Sequence, residues 1–385
     1  MTILTRRTIA KMVLRLPLNY PLISVKIARM NHKKLYPIVF FWLFLGISAM
    51  TNAKSLESKQ ALTLEKISAI ENFWPSVTQA SFKTDDDIRI AYATNFKRPQ
   101  KPYIVIVPGR SEGYLKYQEL VYDLDNQGYD SVIIDHRGQG LSMRLTTNRL
   151  QGYVENFDQY AQDLQRLLHH VLPEKYPQHQ QSSFMLAHSM GGAIALRYLQ
   201  LYPHKVKALS LSSPMIAISS GGTPDWLAKA LIKTGSTINR WLSNTPWYFP
   251  GQSDGKQSSF AQNRLMHSAE RFQRFQSLYQ AQPLLRLGGV TFNWLEQAII
   301  NSDNLFIDIE KLSLPIQMLQ AENEQIVDNN AQDNFCLTLN NFNNNACPGG
   351  KPIVIFGAYH ELFFEEDQYR DIAINKTIAW FSQHQ

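Results

Sequence analysis

The chain has 385 residues, 44% of them hydrophobic and 18% charged, with a formal net charge of +6 and two cysteines. That length suits one large α/β domain or two ordinary ones, and the composition excludes a disordered chain. Two cysteines exclude a disulfide-dense scaffold and a four-cysteine zinc site.

The positive charge sits at the front. No acidic residue precedes Glu57, while residues 1–53 hold eight basic ones: Arg6, Arg7, Lys11, Arg15, Lys26, Arg29, Lys33 and Lys34. Without those eight, 30 basic residues face 32 acidic ones, so the rest of the chain offers no basic surface for nucleic acid. Lys33-Lys34 lead into the apolar run Leu35 to Met50, and small residues follow to Ala53. A basic start, an apolar stretch and a small-residue end describe a signal-like targeting segment over 1–53. The run falls short of the roughly 20 residues that span a bilayer. Two outcomes fit: a signal beginning at Met30 and cleaved after Ala53, or an uncleaved membrane anchor. The expected location is therefore exported, periplasmic or associated with the inner membrane of a bacterium.

Residues 54–80 read as polar and helical. Ser81 to Tyr92 alternates around Asp85-Asp86-Asp87, an early hairpin with a solvated acidic turn. Short apolar runs then recur: Tyr103–Val107, Ser131–Ile134, Ser183–Ala187, Val206–Leu211, Pro315–Leu319 and Pro352–Phe356. Strands that are apolar throughout, rather than alternating, belong to a parallel sheet covered on both faces. Helical stretches separate them at Tyr114–Gln127, Glu155–His170, Met190–Tyr202 and Gln368–Phe381. The predicted architecture is α/β, a mostly parallel central sheet with helices on both faces. Residues 215–300 contain no clear strand and four of the seven tryptophans. They read as a helical aromatic cap between a core first part (54–214) and a second part (301–385). Thr223-Pro224-Asp225 starts a helix there, with Pro at the first helical position.

The third run ends in Ala187-His188-Ser189-Met190-Gly191-Gly192 and passes straight into a helix. This is a nucleophile elbow: the turn is tight enough to require small flanking residues, and it lifts the serine hydroxyl above the sheet. The helix start aims free N–H groups at the reacting centre, which makes the Met190 N–H an oxyanion donor. Pro108-Gly109-Arg110 follows the first run of the set, where a second donor belongs, and the Arg110 N–H is the candidate. Its side chain is a separate question, with plain solvent exposure as one answer. His360, on the loop after the last strand, is the candidate base, and His188 beside the nucleophile reads as a packing residue. Glu322, Glu324 and Asp328 all follow the fifth run in the order serine, acid, histidine.

These residues resemble the α/β-hydrolases, and within them the bacterial lysophospholipase and monoacylglycerol lipase branch, from about Ser81 to the C-terminus. The resemblance is carried by Gly128-Tyr129-Asp130 through Asp135-His136-Arg137-Gly138-Gln139-Gly140-Leu141-Ser142. It continues in Arg271-Phe272 to Pro283, Leu287-Gly288-Gly289, Trp294-Leu295, and Gln320-Ala321-Glu322 through Val327-Asp328-Asn329. It implies Ser189 as nucleophile, His360 as base and Glu324 as acid, with Arg110 and Met190 as oxyanion donors. Family members more often carry Asp at the acid position, which keeps Asp328 as the alternative.

The activity expected is serine-dependent hydrolysis of a lipid ester, a lysophospholipase first, with monoacylglycerol lipase, carboxylesterase or an aminopeptidase of the same fold as alternatives. A membrane surface would supply the substrate. No metal or phosphate-loop motif occurs, and the expected chemistry requires no cofactor. Cys336 and Cys347 either close a short loop or stay free. Head-group preference and oligomeric state are not legible in the residues.

Overall fold

The computed structural model describes residues 62–179, 181–219, 222–255 and 259–385. The basic front segment and its apolar run lie outside the described residues. Of the stretch read as helical over 54–80, Leu64–Phe73 (α1) is α-helical, capped by the Thr63 side chain, which accepts from the Lys66 N–H. A 3-10 turn over Trp74–Ser76 follows α1, with Pro75 inside, and Thr78–Lys83 is already strand β1.

Strand β1 pairs antiparallel with Arg89–Asn95 (β2). The turn between them does more than face water. Asp86 pairs with Arg137 at 2.8 Å, Asp87 with Lys83 at 2.7 Å, and Asp85 with Arg166. The remaining strands are Tyr103–Val107 (β3), Asp130–Ile134 (β4), Ser183–His188 (β5), Val206–Ser212 (β6), Ile316–Ala321 (β7) and Ile353–Ile355 (β8). All eight lie in one sheet in the order β1-β2-β4-β3-β5-β6-β7-β8. From β4 onward every pairing is parallel.

Every residue of β3, β4 and β5 is buried, as strands covered on both faces must be. Alternate residues feed two cores. Val105, Val107, Met185, Ala187 and Met318 pack on one face, and Ile104, Ile106, Phe184, Leu186 and Ala321 on the other. Gln118–Asn126 (α2) and Asp367–Gln383 (α9) cover the second face; Asp158–Arg166 (α3), Met190–Leu201 (α4) and Asn329–Phe342 (α8) cover the first. Cys336 on α8 is disulfide-bonded to Cys347, with a Cα–Cα distance of 5.3 Å.

Between β6 and β7 come Asp225–Leu242 (α5), Ala269–Ala281 (α6) and Phe292–Ile307 (α7). Pro224 caps α5 from outside, with ψ 131°, so the helix starts one residue later than the sequence suggests. Helix α7 runs past residue 300, and its Ala298 and Leu305 are fully buried in the first core. The aromatics of this region divide: Trp294 is 4% exposed, whereas Trp226 and Trp241 on α5 are 72% and 89% exposed. Among the described residues no helix is long and apolar enough to cross a membrane.

Candidate active site

Strand β5 ends at His188 and α4 begins at Met190, leaving Ser189 alone in the turn at φ 53° and ψ −121°. A serine at positive φ is strained and is held there by its neighbours. Its N–H donates to the Ser212 carbonyl at 3.0 Å, and its own carbonyl accepts from Gly192 and Met215, each at 2.9 Å. Gly191 is what lets the helix start sit so close to β3. A Cβ there would lie 2.1 Å from the Val107 carbonyl oxygen and 2.4 Å from that of Pro108.

Two other strand ends supply the partners. His360 follows β8 and Glu324 follows β7. His360 Nε2 lies 2.9 Å from Ser189 Oγ, and His360 Nδ1 lies 2.7 Å from Glu324 Oε2. With Nδ1–H donating to the carboxylate, Nε2 is the acceptor that faces the serine hydroxyl. Glu324 Oε1 is fully engaged elsewhere: it accepts from the N–H groups of Gln325, Ile326 and Val327 at 2.9, 2.7 and 3.3 Å. Burial pushes the Glu324 pKa up, but the hydrogen bond from His360 and those backbone donors more than offset it, leaving the carboxyl below its ordinary range.

The other two carboxylates do local work. Asp328 caps α8, accepting from Asn330 N–H at 2.8 Å and Ala331 N–H at 3.3 Å. Glu322 accepts from the Gly357 N–H at 2.8 Å and so ties β7 to the loop that carries His360.

The oxyanion side is built from the 108–112 loop and the start of α4. The Met190 N–H is the first of its helix and has no partner within it. Gly109, just before Arg110, touches the nucleophile: a Cβ on it would sit 3.2 Å from Ser189 Cβ. The motif after β4 fixes this loop. His136 Nε2–H donates to the Pro108 carbonyl at 3.0 Å, and Gln139 Nε2 donates to the Gly109 carbonyl at 2.8 Å. Asp135 accepts from Tyr114 N–H and Leu141 N–H, both at 2.6 Å. Gly140 is required there, because it sits at φ 55° and a Cβ would lie 2.2 Å from Asp135 Oδ2.

Sequence reasoning missed a buried charge cluster behind the site. Lys116 Nζ lies 2.6 Å from Glu112 and 2.7 Å from Glu361, and none of the three side chains is more than 6% exposed. Glu112 also accepts from Tyr117 OH and from the Gly109 N–H, both at 2.5 Å. Burial works against the Glu112 carboxylate, but Lys116 and the hydrogen bond from Tyr117 hold its pKa below the usual range; burial raises that of Glu361. The cluster thus joins the oxyanion loop to the residue after His360. Glu112 and Lys116 are four apart, a spacing ordinarily read as a solvated ion pair, so the sequence carried no sign of burial. His188 is buried, and burial pushes its pKa down to about 4, so it packs as the neutral ring against His360, centroids 4.9 Å apart.

The Arg110 side chain, left open by the sequence, is only partly exposed. It turns under the cap, where Nη2 donates to the Gly288 carbonyl.

The model of a family described as serine aminopeptidase, S33 matches residues 98–367. The chain belongs to this α/β-hydrolase family. The α/β-hydrolase is also 35% identical over 315 residues to lysophospholipase L2 of Escherichia coli K12, which covers 82% of this chain and 90% of that one. The probable lysophospholipase L2 of Haemophilus influenzae is 33% identical, covering 74% of this chain and 85% of its own. Among solved structures, a soluble variant of monoglyceride lipase from Saccharomyces cerevisiae in complex with a substrate analog aligns with a TM-score of 0.60 at 17% identity. It covers 80% of this chain and 95% of that one, a likeness of fold. The elbow, the loop after β3 and the two loops carrying Glu324 and His360 all open at the C-terminal ends of the parallel strands, where this α/β-hydrolase fold places its chemistry.

Proposed function

We propose that this chain is a serine ester hydrolase that releases a fatty acid from lysophospholipids. The observation that carries the chemistry is the Ser189–His360–Glu324 chain, at 2.9 and 2.7 Å, on a strained elbow. The two lysophospholipase L2 relatives support the substrate class. In this reading His360 Nε2 takes the Ser189 proton as Oγ attacks the acyl carbonyl, and Glu324 stabilises the imidazolium. The backbone N–H groups of Arg110 and Met190 hold the tetrahedral oxyanion. His360 returns the proton to the leaving glycerol oxygen, and water then releases the fatty acid by the same route in reverse.

Peptide hydrolysis from an N-terminus would need a free carboxylate to hold the substrate amine. The carboxylates nearest the loop, Glu112 and Glu361, are both paired with Lys116, which favours the ester reading. The membrane surface is the proposed source of substrate, supported by the exposed Trp226, Leu231, Trp241 and Leu242 of α5. Export is proposed from the apolar run and its basic lead, and the Cys336–Cys347 pairing is in keeping with an oxidising compartment. An N-terminus at Lys54 in the purified protein would test cleavage; one at Met30 or earlier would favour the anchor.

A fluorophosphonate probe should label the wild type and fail to label Ser189→Ala. Labelling of the variant would refute the nucleophile. Lysophosphatidylcholine should be turned over faster than a monoacylglycerol, a short chromogenic ester or an aminoacyl amide, and the lipid reading falls if the amide is preferred.

A further inference from the structure

The described part of the chain buries its cations in pairs with anions. Lys116 meets Glu112 and Glu361; Arg137 meets Asp86 and Asp163; Arg197 meets Asp158 and Asp308; Arg271 meets Glu119 and Asp367; Arg370 meets Glu119 and Asp123. This is what desolvation demands, since an unpaired buried charge is costly. Two arginines depart from the pattern: Arg144, which meets only the Leu284 and Arg286 carbonyls, and Arg110, which alone of the two adjoins the loop beside Ser189. Among the described residues no carboxylate lies within 4.0 Å of its guanidinium. Its contacts are the Gly288 carbonyl from Nη2, the Ser111 hydroxyl 3.2 Å from Nη1, and the Trp294 ring with its centroid 5.4 Å from Cζ. Its Nε is buried and has no partner. The residue keeps partial solvent access. Burial pushes its pKa down to about 10, with only tyrosine hydroxyls nearby to oppose the shift.

This cation belongs to the residue next to Gly109, which packs against Ser189, and its N–H is the second oxyanion donor of the mechanism proposed above. From Arg110 Cα to the guanidinium carbon is five bonds, a reach of about 6 Å. In a lysophospholipid the acyl carbon and the phosphorus are six bonds apart, about 7 Å when extended. The two lengths match, so one residue has the reach to meet the acyl carbonyl through its N–H and a phosphodiester through its side chain. Space is reserved for the guanidinium: a Cβ on Gly152 would lie 2.5 Å from Arg110 Nη2.

We propose that the Arg110 guanidinium binds the phosphodiester of the head group and sets the preference of the site for phosphate-bearing esters over uncharged ones. The proposal rests on the ester-hydrolase reading above and adds to it the residue that distinguishes a lysophospholipid from a monoacylglycerol. A site whose buried polar group needs a partner discriminates strongly against a substrate lacking one.

The test is the ratio of kcat/KM for lysophosphatidylcholine to that for a monoacylglycerol of the same acyl chain. The ratio cancels any common loss from disturbing the oxyanion loop. Arg110→Met should lower it by about 10- to 100-fold, and Arg110→Lys, which keeps the charge, by less. A parallel loss on both substrates, or no change in the ratio, would mean that Arg110 only ties the cap to the core, and would overturn the proposal. A measurement on the wild type needs no variant to fold. Glycerophosphocholine should compete with a chromogenic short ester, and glycerol at the same concentration should not; equal effects also overturn it. If the wild type hydrolyses no ester at all, the functional reading fails first, and the two failures are thus distinguishable.

Discussion

Replacing Glu324 by Gln tests the proposed pairing of Glu324 with His360 directly. The two carboxylate oxygens have different duties. Oε1 accepts from three backbone N–H groups, and Oε2 faces His360 Nδ1 at 2.7 Å. In Glu324→Gln the three N–H donors select the amide oxygen for the Oε1 position, so the NH2 group must take the place of Oε2. That NH2 can only donate, which forces His360 Nδ1 to become an acceptor and puts the ring proton on Nε2. The face opposite Ser189 then carries a proton and can no longer accept one. The backbone hydrogen bonds survive, so the loop should keep its shape while turnover falls by about 10³- to 10⁴-fold, or about 4–5.5 kcal/mol of transition-state stabilisation. Asp328→Asn is the matched control. Asn caps a helix as well as Asp does, so turnover should stay within about threefold of wild type. Both variants are assayed by single-turnover hydrolysis of lysophosphatidylcholine, with circular dichroism to check folding. An equal or larger loss at Asp328 would refute the assignment and the reasoning from Oε1 with it.

Gly191→Ala must push the start of α4 away from the Val107 carbonyl, which a Cβ would approach to 2.1 Å. The variant should lose about 3 kcal/mol of stability and most of its activity; a wild-type melting temperature would contradict the close approach. Removing the disulfide in a Cys336→Ser, Cys347→Ser double variant should cost about 3 kcal/mol, since it opens a loop of 11 residues. Urea melts that superimpose with and without reductant would refute that contribution. Glu119 is pressed upward by burial but held well below the carboxylate range by Arg370 and Arg271. A depressed acid contributes stability that is complete above about pH 4.3 and is lost as pH falls through the folded-state value. Wild-type stability should therefore decline on the acid side, and Glu119→Gln should be less stable at neutral pH with a shallower acid slope. An unchanged slope would show that Glu119 does not report this linkage.

The core and the serine turn between β5 and α4 were legible in the sequence because both are local patterns. A fully buried parallel strand must be apolar at every position, so Tyr103–Val107 and Ser183–Ala187 declare themselves. An elbow needs small residues two away on each side of Ser189, and a strand before it with a helix after it. Position along the chain pointed to His360, since the last strand end opens on the same edge of the sheet. Boundaries were less legible: Pro224 satisfies the geometry of a first helical residue and of a cap, and only the path of the preceding loop decides between them.

What the sequence determined by itself was therefore the sheet, the serine, the histidine and a short segment in which the acid must lie. The tertiary structure decided the rest. Glu322, Glu324 and Asp328 are chemically interchangeable in a string. They separate only when backbone N–H groups from the same loop seize one oxygen of Glu324 and turn the other toward His360. Lys116 looks like a surface partner for Glu112 until Glu361, 245 residues later, closes around it at 2.7 Å. The Arg110 side chain has no readable place in the string; in the fold its Nη2 reaches the Gly288 carbonyl, and the missing Cβ of Gly152 leaves room for it. Charge and hydrogen bonding are satisfied in three dimensions between residues distant in sequence, and no local pattern records which partners a side chain will find.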